Sequence, residues 1–312
     1  MEMFRTLDEL PEGAAVAIGT FDGVHLGHRA LIAEMKRFAF DNGREPWIVA
    51  LTGHPAIVTN PGNVPPLLQD AAHLTFGLYD GESRLVLQPF TPAFASESAE
   101  DFAKRLQGRV VFCGEDWRFG NGAEGDPQFL YDRGIDVRIV PFLECNGERI
   151  SSTRIRGCLA AGKMHEVAAM LGTPWDACGR VVHGRGLAGP TFGVPTLNIP
   201  YPTALPGGYR RAVPARGVYC ARVTVMPPEG NDSQQWPAMV NFGTAPTVKG
   251  EAEPLFEVHL IGAEGDYYGW DAEIRISLPL LRAEKRFESV DALGAQIRKD
   301  LALCRQIFGV RQ

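Results

Sequence analysis

Two histidines three residues apart, His25 and His28, sit inside the run Asp22-Gly23-Val24-His25-Leu26-Gly27-His28-Arg29, and the chemistry they suit is that of a nucleotide-phosphate site. Imidazoles at that spacing share one helix face and can donate hydrogen bonds to negative charge building on a phosphoryl group. Before them, Ala14-Ala15-Val16-Ala17-Ile18-Gly19 is a run of small apolar residues of the kind buried in a parallel sheet. After them, Leu31, Ile32, Met35, Phe38 and Ala39 recur at helical spacing. The motif therefore bridges a strand end and a helix start. There, free backbone N–H groups and the positive end of the helix dipole face a ligand, and Gly19, Gly23 and Gly27 let the chain approach it closely. The short pattern His-x-Gly-His arises easily by chance; its placement gives it weight.

Two more loops belong to the same chemistry. Ile150-Ser151-Ser152-Thr153-Arg154-Ile155-Arg156 puts hydroxyls and guanidinium groups at a helix start, where they can hold phosphates or simply cap the helix. Gly114-Glu115-Asp116-Trp117-Arg118-Phe119-Gly120-Asn121-Gly122 follows the strand Val110-Val111-Phe112-Cys113. Open α/β sheets bind ligands at such strand ends, and Trp117 and Phe119 there can sandwich a flat ring or tuck into the core. Three such loops in one parallel-sheet domain converge on one crevice.

The elements that must carry these loops change texture once along the 312 residues, a length that suits two domains. Up to residue 172, Trp47–Leu51, Leu85–Leu87, Val110–Cys113 and Val137–Val140 alternate with helical stretches such as Ser98–Leu106, predicting a parallel α/β sheet. The segment Thr153–Leu171 reads as helical and ends at Gly172-Thr173-Pro174. From 173 on, Gly179–Val182, Gly217–Val225, Ala238–Asn241, Leu255–Leu260 and Ala272–Ile276 show period-two alternation between Gly/Pro-rich turns, an antiparallel barrel or sandwich. Pro227–Ser233 reads as a hairpin loop. A last helix, Val290–Phe308, presents Leu293, Ile297, Leu301, Cys304 and Phe308 along one face and should close over the strands.

Composition narrows the function. A net charge of −6 supplies no basic field, so nucleic acid is not an expected partner, whereas ATP needs only local donors. The six cysteines at 113, 145, 158, 178, 220 and 304 are scattered, which predicts free or buried thiols in a reducing compartment rather than a disulfide frame or a zinc site. The first nine residues carry acids where a signal peptide needs an apolar stretch, and no apolar run is long enough to span a membrane. The expectation is a cytoplasmic enzyme with no membrane partner.

Taken together, Ile18–His28, Gly114–Gly120 and Ile150–Arg156 closely resemble the bifunctional riboflavin kinase/FMN adenylyltransferases, the prokaryotic FAD synthetases. The second half continues the likeness: Val182–Asn198, with Gly193-Val194-Pro195-Thr196-Leu197-Asn198, is similar to the kinase's nucleotide loop, and Phe256-Glu257-Val258-His259 to its catalytic strand. Leu281–Phe287 and the following Leu293, Gln296, Ile297 and Asp300 are similar to the family's C-terminal helix region.

The resemblance implies a Rossmann-like nucleotidyltransferase parallel sheet over 1–172 and a riboflavin-kinase-type antiparallel β-barrel with a closing helix over 173–312. It implies AMP transfer from ATP to FMN in the first domain, giving FAD and pyrophosphate, with His25 and His28 stabilising charge on the α-phosphate. Gly19, Thr20, Phe21, Asp22, Gly27, Ser152, Thr153 and Arg156 would hold the nucleotide; Asp116, Trp117 and Phe119 would face the flavin. It implies riboflavin phosphorylation by ATP in the second domain, with Gly193 and Pro195 in the nucleotide loop, Thr196 and Asn198 holding Mg²⁺, Glu257 as general base and Arg282 on the flavin side. Riboflavin, FMN and ATP would be the partners.

Four departures from the family pattern stand out. Leu51-Thr52-Gly53-His54-Pro55 is a shortened version of an aromatic-Pro and Pro-His-Pro segment, and Ala71-Ala72-His73 lies where a lysine is usual. Gly189-Pro190-Thr191-Phe192 replaces a Gly-Arg, and Ala245 replaces a larger polar residue. They leave open an adenylyltransferase with a disabled kinase-like barrel, or a flavin-binding regulatory protein.

Overall fold

The computed structural model describes residues 3–183, 194–230, 232–244 and 254–310. They form two compact units: Met1–Arg154 with Ala204–Arg211, and Ile155–Thr203 with Ala212–Gln312. The first unit's leading run ends at Arg154, and a short piece of the second half of the chain belongs to that unit.

The first unit is a parallel sheet of β1 (Met3–Phe4), β2 (Ala15–Gly19), β3 (Pro46–Thr52), β4 (Arg84–Pro89), β5 (Val110–Gly114) and β6 (Asp136–Val140), in the order β1-β4-β3-β2-β5-β6. Side chains alternate across it because successive Cβ atoms of a strand point to opposite faces. Val16, Ile18, Trp47, Val49, Val86 and Val111 pack one face against Phe102, Leu106, Phe119 and Leu130. Ala15, Ala17, Ile48, Ala50, Leu85 and Phe112 pack the other against Leu31, Met35 and Ala39 of α1 (Leu26–Asp41) and Leu74 and Leu78 of α2 (Ala71–Leu78). The alanines at alternate positions of β2 let α1 lie close to the central strand. Helix α3 (Ala99–Arg105) supplies Phe102 to the first face, and a two-stranded ribbon, β7 (Glu144–Cys145) with β8 (Glu148–Arg149), follows β6.

The stretch expected as one helix over Thr153–Leu171 is two, α4 (Ser152–Ala160) and α5 (Met164–Leu171). The chain turns between them through Gly162 at φ +70°, whose N–H returns to the Leu159 carbonyl. Helix α5 ends at Gly172 in the left-handed region, as the Gly-Thr-Pro sequence predicts.

The second unit is antiparallel: β9 (Trp175–Arg180), β10 (Leu197–Pro200), β11 (Gly217–Met226), β12 (Gln234–Thr244), β13 (Pro254–Leu260), β14 (Asp271–Ile276) and β15 (Arg282–Ala283). The order is β10-β13-β12-β11-β14-β9, with β15 beside the start of β11. Val182, just past β9, bridges to Asn198 in β10, so the sheet curls until its edge strands meet. The interior holds Trp175, Tyr201, Phe242 and Phe256, packed ring against ring at centroid distances of 4.6 to 6.3 Å. Helix α6 (Val290–Phe308) lies on the outer face, where Leu301, Cys304 and Phe308 pack with Cys220 and Met239. Ser289 caps its first turn by accepting the Ala292 N–H.

One expectation fails here. Cys220 of β11 and Cys304 of α6 form a disulfide with their Cα atoms 5.6 Å apart. Their separation of 84 residues hid the pair, because only the docking of α6 on the barrel brings them together. Cys113 and Cys158 are buried thiols outside any disulfide, and Cys178 is an exposed one. Among the described residues no helix is long and apolar enough to cross a membrane.

Candidate functional site

In the first unit the chain leaves β2 through a turn with three positive-φ residues among four: Phe21, Gly23 and Val24 have φ of 51°, 84° and 38°. Non-glycine residues persist in that region only where their surroundings hold them. Here the Val24 N–H closes onto the Phe21 carbonyl, Gln69 Nε2 donates to that same oxygen, and Arg29 Nε donates to the Val24 carbonyl. The Phe21 ring is buried in the core, so the residue offers only its main chain to a ligand.

The turn delivers His25 as the N-cap of α1, its Nδ1 accepting the His28 N–H at 3.3 Å. That bond fixes the tautomer: Nδ1 is bare and Nε2 carries the proton, ready to donate. His28 stacks on His25 with ring centroids 3.6 Å apart and 16° between planes, and meets the Phe21 ring edge-on at 5.3 Å. Gly27 lies directly beside the His25 ring. His28 Nδ1 is buried without a hydrogen-bond partner among the described residues.

Both imidazoles are neutral at pH 7. Burial, then the nearby Arg149 guanidinium, pushes His25 down to about 4; burial, then His25, holds His28 well below its ordinary value. Neutral imidazoles can serve as N–H donors, and the α1 dipole lies behind them. A histidine neutral in the fold and ordinary when unfolded contributes stability that is complete above about 6.5 and lost as pH falls towards 4. A shift of this size is worth on the order of 3 kcal/mol. The thermal midpoint of the protein should drop between pH 6.5 and 4.5, and the drop should be shallower in His25→Gln, as followed by circular dichroism melts.

Ser152 begins α4 and donates its hydroxyl to the Asp22 carbonyl at 2.8 Å, tying the second loop to the histidine turn. Arg156 sits four residues on and shares its helix face; Thr153 is exposed. Arg154 turns away, donating to the Cys145 and Glu148 carbonyls of the β7–β8 ribbon. The third loop behaves differently. Asp116 is exposed and pairs with Arg149 at 2.8 Å. Phe119 is buried between Phe102 and Phe129, and Trp117 packs on Phe102 and Phe119 at 6.0 and 4.8 Å, so both rings lie against core aromatics. Arg149, which sequence reasoning passed over, lies over the Phe142 ring at 3.3 Å and near enough to act on His25. Its signal was its place just before the hydroxyl cluster.

A cleft of ≈ 560 Å³ opens beside this turn, with Thr20 and Asp22 on its near side, Leu51, Thr52, Gly53 and His54 at the end of β3, and Tyr209 and Arg211 from the Ala204–Arg211 segment. Nothing in the sequence pointed to that segment.

In the second unit, strand register assembles the candidate residues. Glu257 of β13 lies directly between Asn198 of β10 and Asn241 of β12; Asn241 in turn faces Val218 of β11, and Val218 faces Arg282 of β15. Directly paired residues share a sheet face, so Asn198, Glu257, Asn241 and Arg282 form one polar row, opposite the interior side that buries Phe256 and Val258. The Asn241 Nδ2 donates to Glu257 Oε2 at 3.3 Å. Arg282 pairs with buried Asp300 of α6 at 2.7 Å, and Gln296 donates to the other carboxylate oxygen. His259 Nδ1 bonds the Pro195 carbonyl at 2.8 Å and so anchors the turn that carries half-buried Thr196. Gly193, Pro190 and Ala245 lie outside the described residues.

This pair of units has counterparts among known proteins. The FAD synthetase family profile matches residues 7–154 and the riboflavin kinase profile residues 171–308. The bifunctional riboflavin kinase/FMN adenylyltransferase of Pseudomonas fluorescens is 33% identical over 320 residues, 98% of each chain. The Escherichia coli K12 protein of the same name is 33% identical over 98% of this chain and 96% of its own. A crystal structure from Streptococcus pneumoniae described as a macrolide-efflux protein superposes with a TM-score of 0.82 at 28% identity, covering 97% of this chain and 98% of that one. The identity extends end to end through both units, and the chain belongs to the bifunctional riboflavin kinase/FMN adenylyltransferase family.

Proposed function

We propose that the protein makes FAD in two steps, phosphorylating riboflavin to FMN in the second unit and adenylylating FMN in the first. What supports this most directly is that one chain carries both a neutral, stacked imidazole pair at a helix start and a carboxylate set in a row of polar side chains on a curled sheet.

In adenylyl transfer a phosphate oxygen of FMN attacks the α-phosphorus of ATP and pyrophosphate leaves. His25 Nε2–H and His28 donate to the oxygens on which charge grows, and Ser152, Thr153 and Arg156 hold the departing phosphates. No protein nucleophile is required, because such transfers are driven by positioning and charge stabilisation.

In the kinase step Glu257 takes the proton of the ribityl hydroxyl as its oxygen attacks the γ-phosphorus and ADP leaves. Asn241 holds the carboxylate in place. Thr196 and Asn198 offer the hard oxygen donors that Mg²⁺ prefers, and Asn198 is registered against Glu257, so the donor set fits that ion. Mg²⁺ bound with ATP would neutralise phosphate charge. ATP, riboflavin and FMN are the substrates, and the cytoplasm, where they are made and used, is the proposed location.

The test is chromatographic separation of flavins after incubating the pure protein with ATP and Mg²⁺, starting from riboflavin or from FMN. FAD from both is the expected result. FAD from FMN alone would mean the barrel is no kinase, FMN without FAD would remove the adenylyltransferase, and no product from either would leave a flavin-binding protein.

A further inference from the structure

We propose that the Ala204–Arg211 segment is a wall of the adenylyltransferase's flavin pocket, and that Tyr209 contacts the isoalloxazine ring and sets the affinity for FMN. The proposal rests on the adenylyltransferase reading above.

Four observations carry it. The ≈ 560 Å³ cleft lies within the size range of small-molecule sites. Its lining is largely apolar, with Leu51, Leu67, Leu74 and Leu205, and carries polar groups at Thr20, Thr52 and Asp70. That combination suits a flat tricyclic ring with a hydrogen-bonding edge.

The cleft also adjoins the phosphate machinery. Asp22 lines it while its carbonyl accepts the Ser152 hydroxyl and its carboxylate accepts the Leu68 N–H. Asp22 leads three residues on to His25, so the cleft opens beside the turn that carries the histidines. On the flank beyond β5, by contrast, Trp117 and Phe119 pack against core aromatics.

The segment is fastened and not merely draped. The Leu67 N–H donates to the Arg210 carbonyl at 2.8 Å, while inside the segment the Leu205 N–H closes onto the Tyr209 carbonyl at 2.9 Å. Arg211 pairs with Asp70 at 2.7 Å, the two side chains only 14% and 22% exposed. Asp70 is itself the N-cap of α2, bonded to the His73 N–H and imidazole.

Finally, β3 makes room for the ring. Gly53 has φ +81°, and a Cβ there would collide with the Tyr209 phenol. The phenol oxygen is met by the backbone of His54, so Tyr209 is set against the end of β3 along the cleft. A tenfold change in affinity, about 1.4 kcal/mol, lies within the range that stacking of a planar heterocycle on such a ring supplies.

Steady-state kinetics of both reactions in Tyr209→Ala, Tyr209→Leu and Tyr209→Phe test this. The expected result is a KM for FMN raised about tenfold or more in the alanine and leucine variants and restored in the phenylalanine one. KM for ATP and the rate of riboflavin phosphorylation should not change. FMN fluorescence titrations should show the same order of affinities, with Tyr209→Leu serving if the alanine variant does not fold. An unchanged KM for FMN, a loss falling equally on ATP and on the kinase, or no rescue by phenylalanine would overturn the proposal. A wild-type protein that forms no FAD from FMN would instead bring down the adenylyltransferase reading and this inference with it.

Discussion

Glu257→Gln should abolish FMN formation from riboflavin while FMN adenylylation continues at the wild-type rate. Glutamine keeps the length and planarity of the side chain and can still accept from Asn241, so the row Asn198–Glu257–Asn241 stays assembled. What it loses is the ability to take a proton. General-base assistance of this kind is worth about 10²–10⁴ in rate, and the fall should be in kcat with KM for ATP little altered. Glu257 is exposed and its neighbours Phe256 and Val258 carry the packing, so the variant should melt with the wild type. Following FMN by chromatography in parallel with FAD formed from supplied FMN provides an internal control. Normal FMN formation would remove Glu257 from the chemistry.

His28→Ala should do the reverse, cutting FAD formation from FMN by about 10²–10³ with riboflavin phosphorylation intact. The imidazole stacks on His25 and touches the Phe21 edge, yet its Nδ1 bonds to nothing else described. That leaves it a donor with no structural bond to serve. Because alanine also opens a small cavity, His28→Asn belongs beside it: asparagine keeps a neutral donor and should recover part of the rate if donation to phosphate is the role. An alanine variant that forms FAD within tenfold of the wild type would exclude it.

Much of the fold was legible because burial follows period. The alternation of Val16 and Ile18 with Ala15 and Ala17 gives β2 two buried faces, and the spacing of Leu31, Met35 and Ala39 gives α1 one. The histidine turn was legible for a different reason: only a strand end feeding a helix start makes sense of glycines and histidines in that order. Glu257 showed its type but not its company, since Asn241 and Arg282 join it through strand register set by turns far apart in sequence. The disulfide escaped for the same reason. Trp117 and Phe119 could be read as a ring sandwich or as core; both pack against Phe102, Phe119 buried and Trp117 half-buried. Tyr209 was invisible, because a tyrosine between glycine and arginine in a proline-rich stretch carries no periodic or motif signal.

The membership of Ala204–Arg211 in the first unit means that the two halves of this chain are interleaved, not strung end to end. A protein cut after residue 172 would keep every residue of the histidine turn yet lose a side of the adjoining cleft. Separate expression of the halves is therefore not equivalent to dividing the two activities, and a weak isolated first half would report an amputated pocket, not a poor enzyme.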